Sequence, residues 1–507
     1  MNPPERPGLP PSGGETATPS RPGIFEPTSL FLFGVPFHDV TEDETLQWVV
    51  DRARAGKPCH VVTSNLDFML QAWRDPEMHR IHVEADLVIA DGWPPVLFSR
   101  FFGPPLRARV AGSDIVPRLG ATARDHDLSI FALGGAPGVG EKAMGILKER
   151  FPGLRVAGCA SPPKATLLEM DHEGLRESLA AARPDVLLVA FGAPKQEKWI
   201  RMNAQRARVP VSIGVGGSLD FIAGAQTRAP RFFRKVGLEW LWRLALQPRR
   251  LFGRYSSNIL FLILMLGRLT LARLLPAGRS GRWVPSPSEL AQIPNAVLFR
   301  FPLMAGASEA SVFSQEVEGI LGNRPVVLDL TGRSWLNSLE LGVLARLARA
   351  ARRGGRVLVL AGVAGRVARL IRILRLNRDL ELPSTGDAWL RRQKELEAPP
   401  EERAARWTPD LGGVTLLLPE QFEREEADRV GQELDRRCGD GVLALRVDGR
   451  RLNYIDSSGL RFLRQAWSLM GKRPGGSIRL LSFPESALRT LKREGLDFLP
   501  AEGTRPG

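Results

Sequence analysis

Cysteine is scarce in this 507-residue chain. Cys59, Cys159 and Cys438 stand far apart and none belongs to a CxxC pair, which excludes a disulfide framework and a Cys-rich zinc site and fits a reducing compartment. Histidine is nearly as rare, at six. His79 and His82 have the i, i+3 spacing that puts two imidazoles on one helical face, but no third ligand lies nearby, so no metal is expected. The first 27 residues are rich in Pro, Gly, Ser and Thr and have no apolar h-region, which excludes a signal peptide and reads as a disordered leader. Long apolar runs are missing as well. The run ILFLILMLG from Ile259 is cut by Arg268 after nine residues, short of the ~20 needed to span a bilayer, and no repeated spanning segments suggest a transporter.

Acidic residues almost vanish between Arg228 and Arg282, where twelve Lys and Arg face Glu239 alone, so this stretch carries +11 of the formal +15. A charge spread evenly would point to nucleic acid; one concentrated beside Phe232, Phe233, Trp240 and Trp242 instead describes a segment at the interface of an anionic membrane. Peripheral attachment is expected, with a buried helical hairpin bearing a solvated basic face as the alternative.

What is present is an ordinary globular composition, 43% hydrophobic and 25% charged, over a length that allows about three domains. From Leu30 short apolar runs alternate with amphipathic stretches, an α/β pattern. Thr41 and Glu44 form a capping box before a helix that Gly56 ends. Strands read as CHVVTSN, DLVIAD, LSIFALG, LRVAGCA, DVLLVAFG and VSIGVGG; their unbroken Val, Ile and Leu predict a largely parallel, Rossmann-like sheet covered on both faces. Ligands of such sheets bind at the carboxyl ends of the strands. That rule selects Thr63 and Asn65, Asp91, the glycine turn at Gly134 and Gly135, GAPKQE from Gly192, and GVGGSLD with Gly216, Gly217 and Asp220. Asp91 in its ADGWPP turn reads either as a general base or as an Asx turn that ends a strand. Lys195 suits phosphate, and Gln196 and Glu197 suit a sugar or base, unless they merely start a solvated helix.

Behind a Pro and Ser linker the chain repeats itself. Asp329 precedes Asn337-Ser338 by eight residues, Asp448 precedes Asp456-Ser457 by eight, and Leu341 and Leu460 follow at matching offsets. Two small α/β modules of about 90 residues are implied. The predicted boundaries are a leader at 1–27, a first domain at 28–230, a basic appendage at 231–282, and modules at 293–395 and 411–501.

In order, TSNLDF, ADGWPPV, RVAGSDI, FGAPKQEKWI, GVGGSLDFIAGAQTRAPRFFRKVGLEWLWRL and QPRR resemble the WecG/TagA/CpsF glycosyltransferase family over roughly residues 30–255. The resemblance implies transfer with inversion from a UDP-sugar to an undecaprenyl-diphosphate-linked sugar at the cytoplasmic face of the membrane, in the assembly of a polysaccharide such as exopolysaccharide, capsule, O-antigen or a teichoic-acid-like polymer, without the metal-binding DxD motif. It implies Asp91 as catalytic base with Thr63 and Asn65, substrate contacts from Arg109 and from Pro194, Lys195, Gln196 and Glu197, and a membrane-binding appendage containing Arg243, Arg249, Arg250 and Arg254. The two repeats resemble STAS domains, the fold of anti-sigma-factor antagonists and of transporter regulatory tails. That implies a docking partner such as a kinase and places Ser457 where those antagonists are phosphorylated; Asn337 replaces the matching aspartate beside Ser338. Ser457 also reads as part of a plain helix cap. The competing expectation is a non-catalytic scaffold that binds sugar nucleotide and recruits partners, against which stands the intact set of Thr63, Asn65, Asp91 and Gln196.

Overall fold

The structure, a computed structural model, describes residues 25–230, 232–233, 239–275, 297–380 and 404–502, apart from 323, 355, 357, 379, 411, 412 and 440. Most of the expected leader, Arg279 and Arg282 lie outside these residues.

A hairpin opens the fold, β1 (Ser29–Leu32) and β2 (Val35–His38), turning at Phe33 and Gly34, both at positive φ. Then follow α1 (Glu42–Ala55), β3 (Cys59–Ser64), α2 (Leu66–Arg74), α3 (Pro76–Glu84), β4 (Leu87–Ala90), α4 (Trp93–Phe102), α5 (Gly112–Asp125), β5 (Ser129–Gly134), α6 (Val139–Arg150), β6 (Arg155–Ala160), α7 (His172–Ala182), β7 (Val186–Ala190), α8 (Lys195–Ala207), β8 (Val211–Gly214) and α9 (Ser218–Ile222). The Thr41 capping box and the left-handed Gly56 cap bound α1 as the sequence predicts. The six predicted strands form one parallel sheet in the order β4-β3-β8-β7-β5-β6. Alternate strand residues serve opposite faces: Val61, Ile89, Ile130 and Leu188 pack under α1, α5 and α6, while Val62, Val88, Leu133 and Val189 pack under α2, α3 and α8. Burial on both faces explains the unbroken apolar runs.

The basic appendage forms α10 (Glu239–Leu246) and α11 (Pro248–Leu274). The apolar run expected to be too short to span a bilayer is longer as a helix, because Arg268 is accommodated within it. Arg268 lies within 27 helical residues, its guanidinium 5.9 Å from the Trp73 ring centroid, and the segment Leu251–Leu274 is long and apolar enough to cross a membrane. Its packing nevertheless ties it to the protein. Phe261, Met265 and Leu269 make a buried stripe against the main core, and the rest of the circumference is open, with Ile263 60%, Leu264 53% and Leu271 54% exposed.

The first module contains β9 (Val297–Arg300), α12 (Ala307–Leu321), β10 (Val326–Asp329), α13 (Ser338–Arg353), β11 (Leu358–Ala361) and α14 (Gly365–Ile373). The second contains β12 (Arg406–Asp410), β13 (Gly413–Leu417), β14 (Gln421–Phe422), α15 (Arg424–Gly439), β15 (Ala444–Asp448), β16 (Tyr454–Ile455), α16 (Ser457–Gly471), β17 (Ser477–Leu481), α17 (Glu485–Arg493) and β18 (Ala501–Glu502). The parallel strands β9-β10-β11 of the first recur as β13-β15-β17 in the second, so the repeat seen in sequence is a repeat of architecture.

The two modules attach by different physics. Leu339, Leu341 and Leu344 of α13 share one core with Leu30, Phe31 and Phe33, and Gly342 meets the β1 backbone so closely that a Cβ there would lie 1.9 Å from the Ser29 carbonyl oxygen. The second module keeps a core of its own, which takes in Leu168 of the catalytic domain, and otherwise attaches through polar groups. Ser457, 2% exposed, donates its hydroxyl to Glu77 Oε2 at 2.7 Å and its N–H to Glu77 Oε1 at 3.1 Å. Lys198 reaches the same carboxylate at 3.0 Å and Asp75 at 2.9 Å, and Arg80 and Arg201 pair with Glu423 and Glu84 around it.

Candidate active site

The sheet order sets the site. From β3 the chain moves to β4 on one side, whereas the strands that follow fill the other side and return to β3 through β8, so the carboxyl ends of β3 and β8 flank the topological switch point. Thr63 and Asn65 leave β3, Asp91 leaves β4, Gly216 and Gly217 leave β8, Gly192 leaves β7, and Gly134 and Gly135 leave β5. The residues selected by sequence therefore line one rim.

Several of them are occupied in holding that rim. Thr63 Oγ1 donates to the Gly214 carbonyl at 2.8 Å across the switch point. Asn65 caps α2, its Oδ1 accepting from the N–H groups of Asp67 and Phe68 at 3.0 and 3.3 Å. Gln196, 1% exposed, accepts from the N–H groups of Gly192 and Gly216, both at 3.1 Å, and donates to Glu197 Oε1 at 2.7 Å. A Cβ at Gly214 would come within 2.6 Å of both side chains, so glycine there permits the clasp. Gln196 and Glu197, expected at a sugar or base, lie in this structure beneath the loops and join two of them. Glu197 is wholly buried, one carboxyl oxygen has no hydrogen-bond partner, and burial pushes its pKa up to about 7. Lys195 donates to the Ala165 carbonyl at 2.6 Å and stacks over Phe191, and burial lowers its pKa. Pro194 caps α8, and Asp220 accepts from Gln226 Nε2 at 3.1 Å.

Asp91 differs. Its backbone N–H continues the sheet to the Ser64 carbonyl at 2.9 Å, but its carboxyl makes no hydrogen bond or ion pair among the described residues. Burial raises its pKa to about 6; Arg243 and Arg109 oppose the rise, and Glu239 and Asp114 add to it. A carboxyl poised near neutrality and held free is suited to accept a proton. Around it stands a guanidinium pair not fully seen in the sequence. Asp114 joins Arg109 at 2.5 Å and also pairs with Arg228, which in turn donates to Ser113 Oγ at 2.9 Å. Burial alone would raise the Asp114 carboxyl, yet the two arginines hold it below the ordinary carboxylate range. Two guanidiniums on one carboxylate leave net positive charge beside Asp91, suited to a diphosphate. Arg228 stands in the same TRAP run as the appendage charges, but its partner is over a hundred residues away.

Of the appendage residues, Arg243 reaches the site, 5.1 Å from the Phe221 ring centroid and paired with Glu239 at 2.7 Å. Arg254 lies 4.0 Å from Asp67, Arg249 is exposed on α11, and the Arg250 side chain falls outside the described residues. The exposed apolar side of α11 is matched on α4, directly after Asp91, by Leu97 and Phe101. The histidine pair considered for metal is used otherwise, since His82 contacts the Met78 carbonyl at 2.7 Å and Ser64 Oγ at 3.1 Å. Among the described residues no group of three His, Cys, Asp or Glu is placed to hold a metal.

Comparison with known proteins converges on this domain. The profile of the Glycosyl transferase WecG/TagA/CpsF family matches residues 30–274, and that of the STAS domain matches residues 288–388. The STAS match covers the first module; the likeness of the second to it rests on the repeat. An N-acetylglucosaminyldiphosphoundecaprenol N-acetyl-beta-D-mannosaminyltransferase of Bacillus spizizenii is 32% identical over 194 residues, 38% of this chain and 74% of that protein. The protein of the same name from Staphylococcus aureus is 30% identical over 202 residues, 40% of this chain and 77% of its own length.

Proposed function

The chain belongs to the WecG/TagA/CpsF family and is a glycosyltransferase, and from that premise we propose that it moves a sugar from a UDP-sugar to an undecaprenyl-diphosphate-linked acceptor at the cytoplasmic membrane face, in cell-surface polysaccharide synthesis. One observation carries the reading: the unpaired Asp91 carboxyl at the end of β4, within the field of Arg109 and Arg243, with Arg228 on the Asp114 carboxylate that Arg109 shares. Asp91 takes the proton of an acceptor hydroxyl, the freed oxygen attacks the anomeric carbon from the face opposite the diphosphate, and the carbon–oxygen bond to UDP breaks. The departing charge meets the Arg109 and Arg228 pair and Arg243, so no divalent ion is required. The relatives' name, with its diphosphoundecaprenol-linked N-acetylglucosamine, supports an acceptor of that class.

The appendage holds the enzyme to the bilayer as a peripheral helix. Its apolar side, with Ile263, Leu264 and Leu271, meets lipid, and its arginines meet anionic headgroups. The fused modules, the second taken as STAS-like on the strength of the repeat, tune or place the transferase. The second module's own core and its polar contacts support its role as the movable one. Phosphorylation of Ser457 then carries a structural condition, since the hydroxyl is closed against Glu77 until the module lifts away. Incubation with a panel of UDP-sugars and a short-chain lipid diphosphate acceptor, with and without EDTA, tests the proposal. Transfer unaffected by the chelator is expected, and loss restored by manganese or magnesium overturns the metal-free route.

A further inference from the structure

Between the catalytic domain and the second module lies a cleft of about 470 Å³, within the range of small-molecule sites. The α7 and α8 helices wall one side, α15 and α16 the other. Guanidiniums from three helices line it, Arg176, Arg206 and Arg461, with Lys472 at the end of α16. Arg206 pairs with Asp428, and Arg176 with Glu173 and, at 3.1 Å, with Asn203 Oδ1. Arg461 and Lys472 have no carboxylate partner among the described residues, and Asp435 is the one further acid on the lining. The arginines crowd one another. Burial, then the charges of Arg176, Arg424 and Arg461, bring Arg206 down to about 10, and burial and Arg176 move Arg461 the same way. An anion between them would relieve that repulsion.

We propose that this cleft binds a small phosphorylated molecule, its phosphate gripped by Arg461 together with Arg206 and Arg176, and its polar body against Gln432 and Gln465. Guanidinium forks suit phosphate oxygens, and contributions from both domains let the ligand bridge them. The site is distinct from the transfer site but shares an element with it. The α8 helix begins with Lys195, Gln196 and Glu197 at the rim and carries Arg206 in its last turn, ~16 Å away at 1.5 Å per residue. The α8 helix therefore has one end at the transfer rim and the other at the cleft.

The test is hydrogen exchange on the full chain with and without inorganic diphosphate, read at residues 424–439 and 457–471, far from any diphosphate held at the transfer site. Exchange slows in both segments of the wild type and of Asp91→Asn. In Arg461→Gln at least tenfold more diphosphate is needed, while transfer without added anion is unchanged. Lys472→Gln shows the same direction and serves if Arg461→Gln does not fold. Unslowed exchange in these segments, or slowing at the same concentration in both variants, overturns the proposal. Because the readout is local exchange and not transfer, its outcome is separate from that of the glycosyltransferase reading.

Discussion

Replacing Asp91 by asparagine separates function from stability. Burial lifts its pKa from 3.8 to about 6, a difference of about two units or ~3 kcal/mol between the protonation states. Since the folded value is the higher, the associated stability is present in full below about pH 4, declines as pH rises, and is gone above about pH 6. Asparagine carries no charge to desolvate. At pH 7.5 Asp91→Asn should therefore be the more stable protein by as much as ~3 kcal/mol, and by less to the extent that Asp91 keeps solvent contact. At pH 4 the two should unfold alike. Urea titrations at the two pH values measure this. The same variant should lose transfer by ~10²- to 10⁴-fold, the usual worth of a general base. Wild-type transfer should rise through an acid limb near pH 6, and Arg243→Ala should move that limb to higher pH by removing the largest charge that favours the carboxylate. A variant that is less stable than wild type at pH 7.5, or transfers at a near wild-type rate, refutes the reasoning.

Glu77→Ala strips the partner from Ser457 and leaves Lys198 with Asp75 alone; breaking such a buried cluster costs about 3–5 kcal/mol, so limited proteolysis should release the second module while the catalytic domain and first module stay joined. Gly342→Val forces a side chain into the β1 backbone and should lower the melting temperature of the shared core, whereas unchanged melting would mean that α13 does not rest on β1. Changing Ile263, Leu264 and Leu271 to serine should weaken sedimentation with anionic vesicles without altering circular dichroism, and added salt should weaken wild-type binding through its arginines; equal sedimentation of the variant would sink the lipid-facing assignment.

Local chemistry made the framework legible. Val, Ile and Leu runs marked the inner strands because both faces of the sheet are covered there, while the edge strand β6, RVAGCA, is only part-buried; Thr41, Glu44 and Gly56 bounded α1 through contacts within one turn. The strand-end rule found the rim. It did not distinguish residues that face a ligand from those that hold the loops, because that depends on strand order: Thr63 bonds Gly214 only because β3 lies beside β8. Arg228 is not marked by the strand-end rule since its partner Asp114 is distant in sequence, and Arg268 reads as a break in the apolar run because it finds the Trp73 ring only in the folded protein. The contact of Ser457 with Glu77 spans 380 residues, beyond any local pattern.

The lipid product itself reports the transfer. Incubation of the full-length protein on anionic vesicles with a panel of UDP-sugars and diphosphoundecaprenol-linked N-acetylglucosamine, the acceptor class in the relatives' name, should yield a disaccharide lipid with at least one of them. Nuclear magnetic resonance should find its new linkage in the anomeric configuration opposite to that of the donor, and Asp91→Asn should form it at most at a hundredth of the wild-type rate. A product that retains the donor configuration, or equal formation by the variant, would contradict the account.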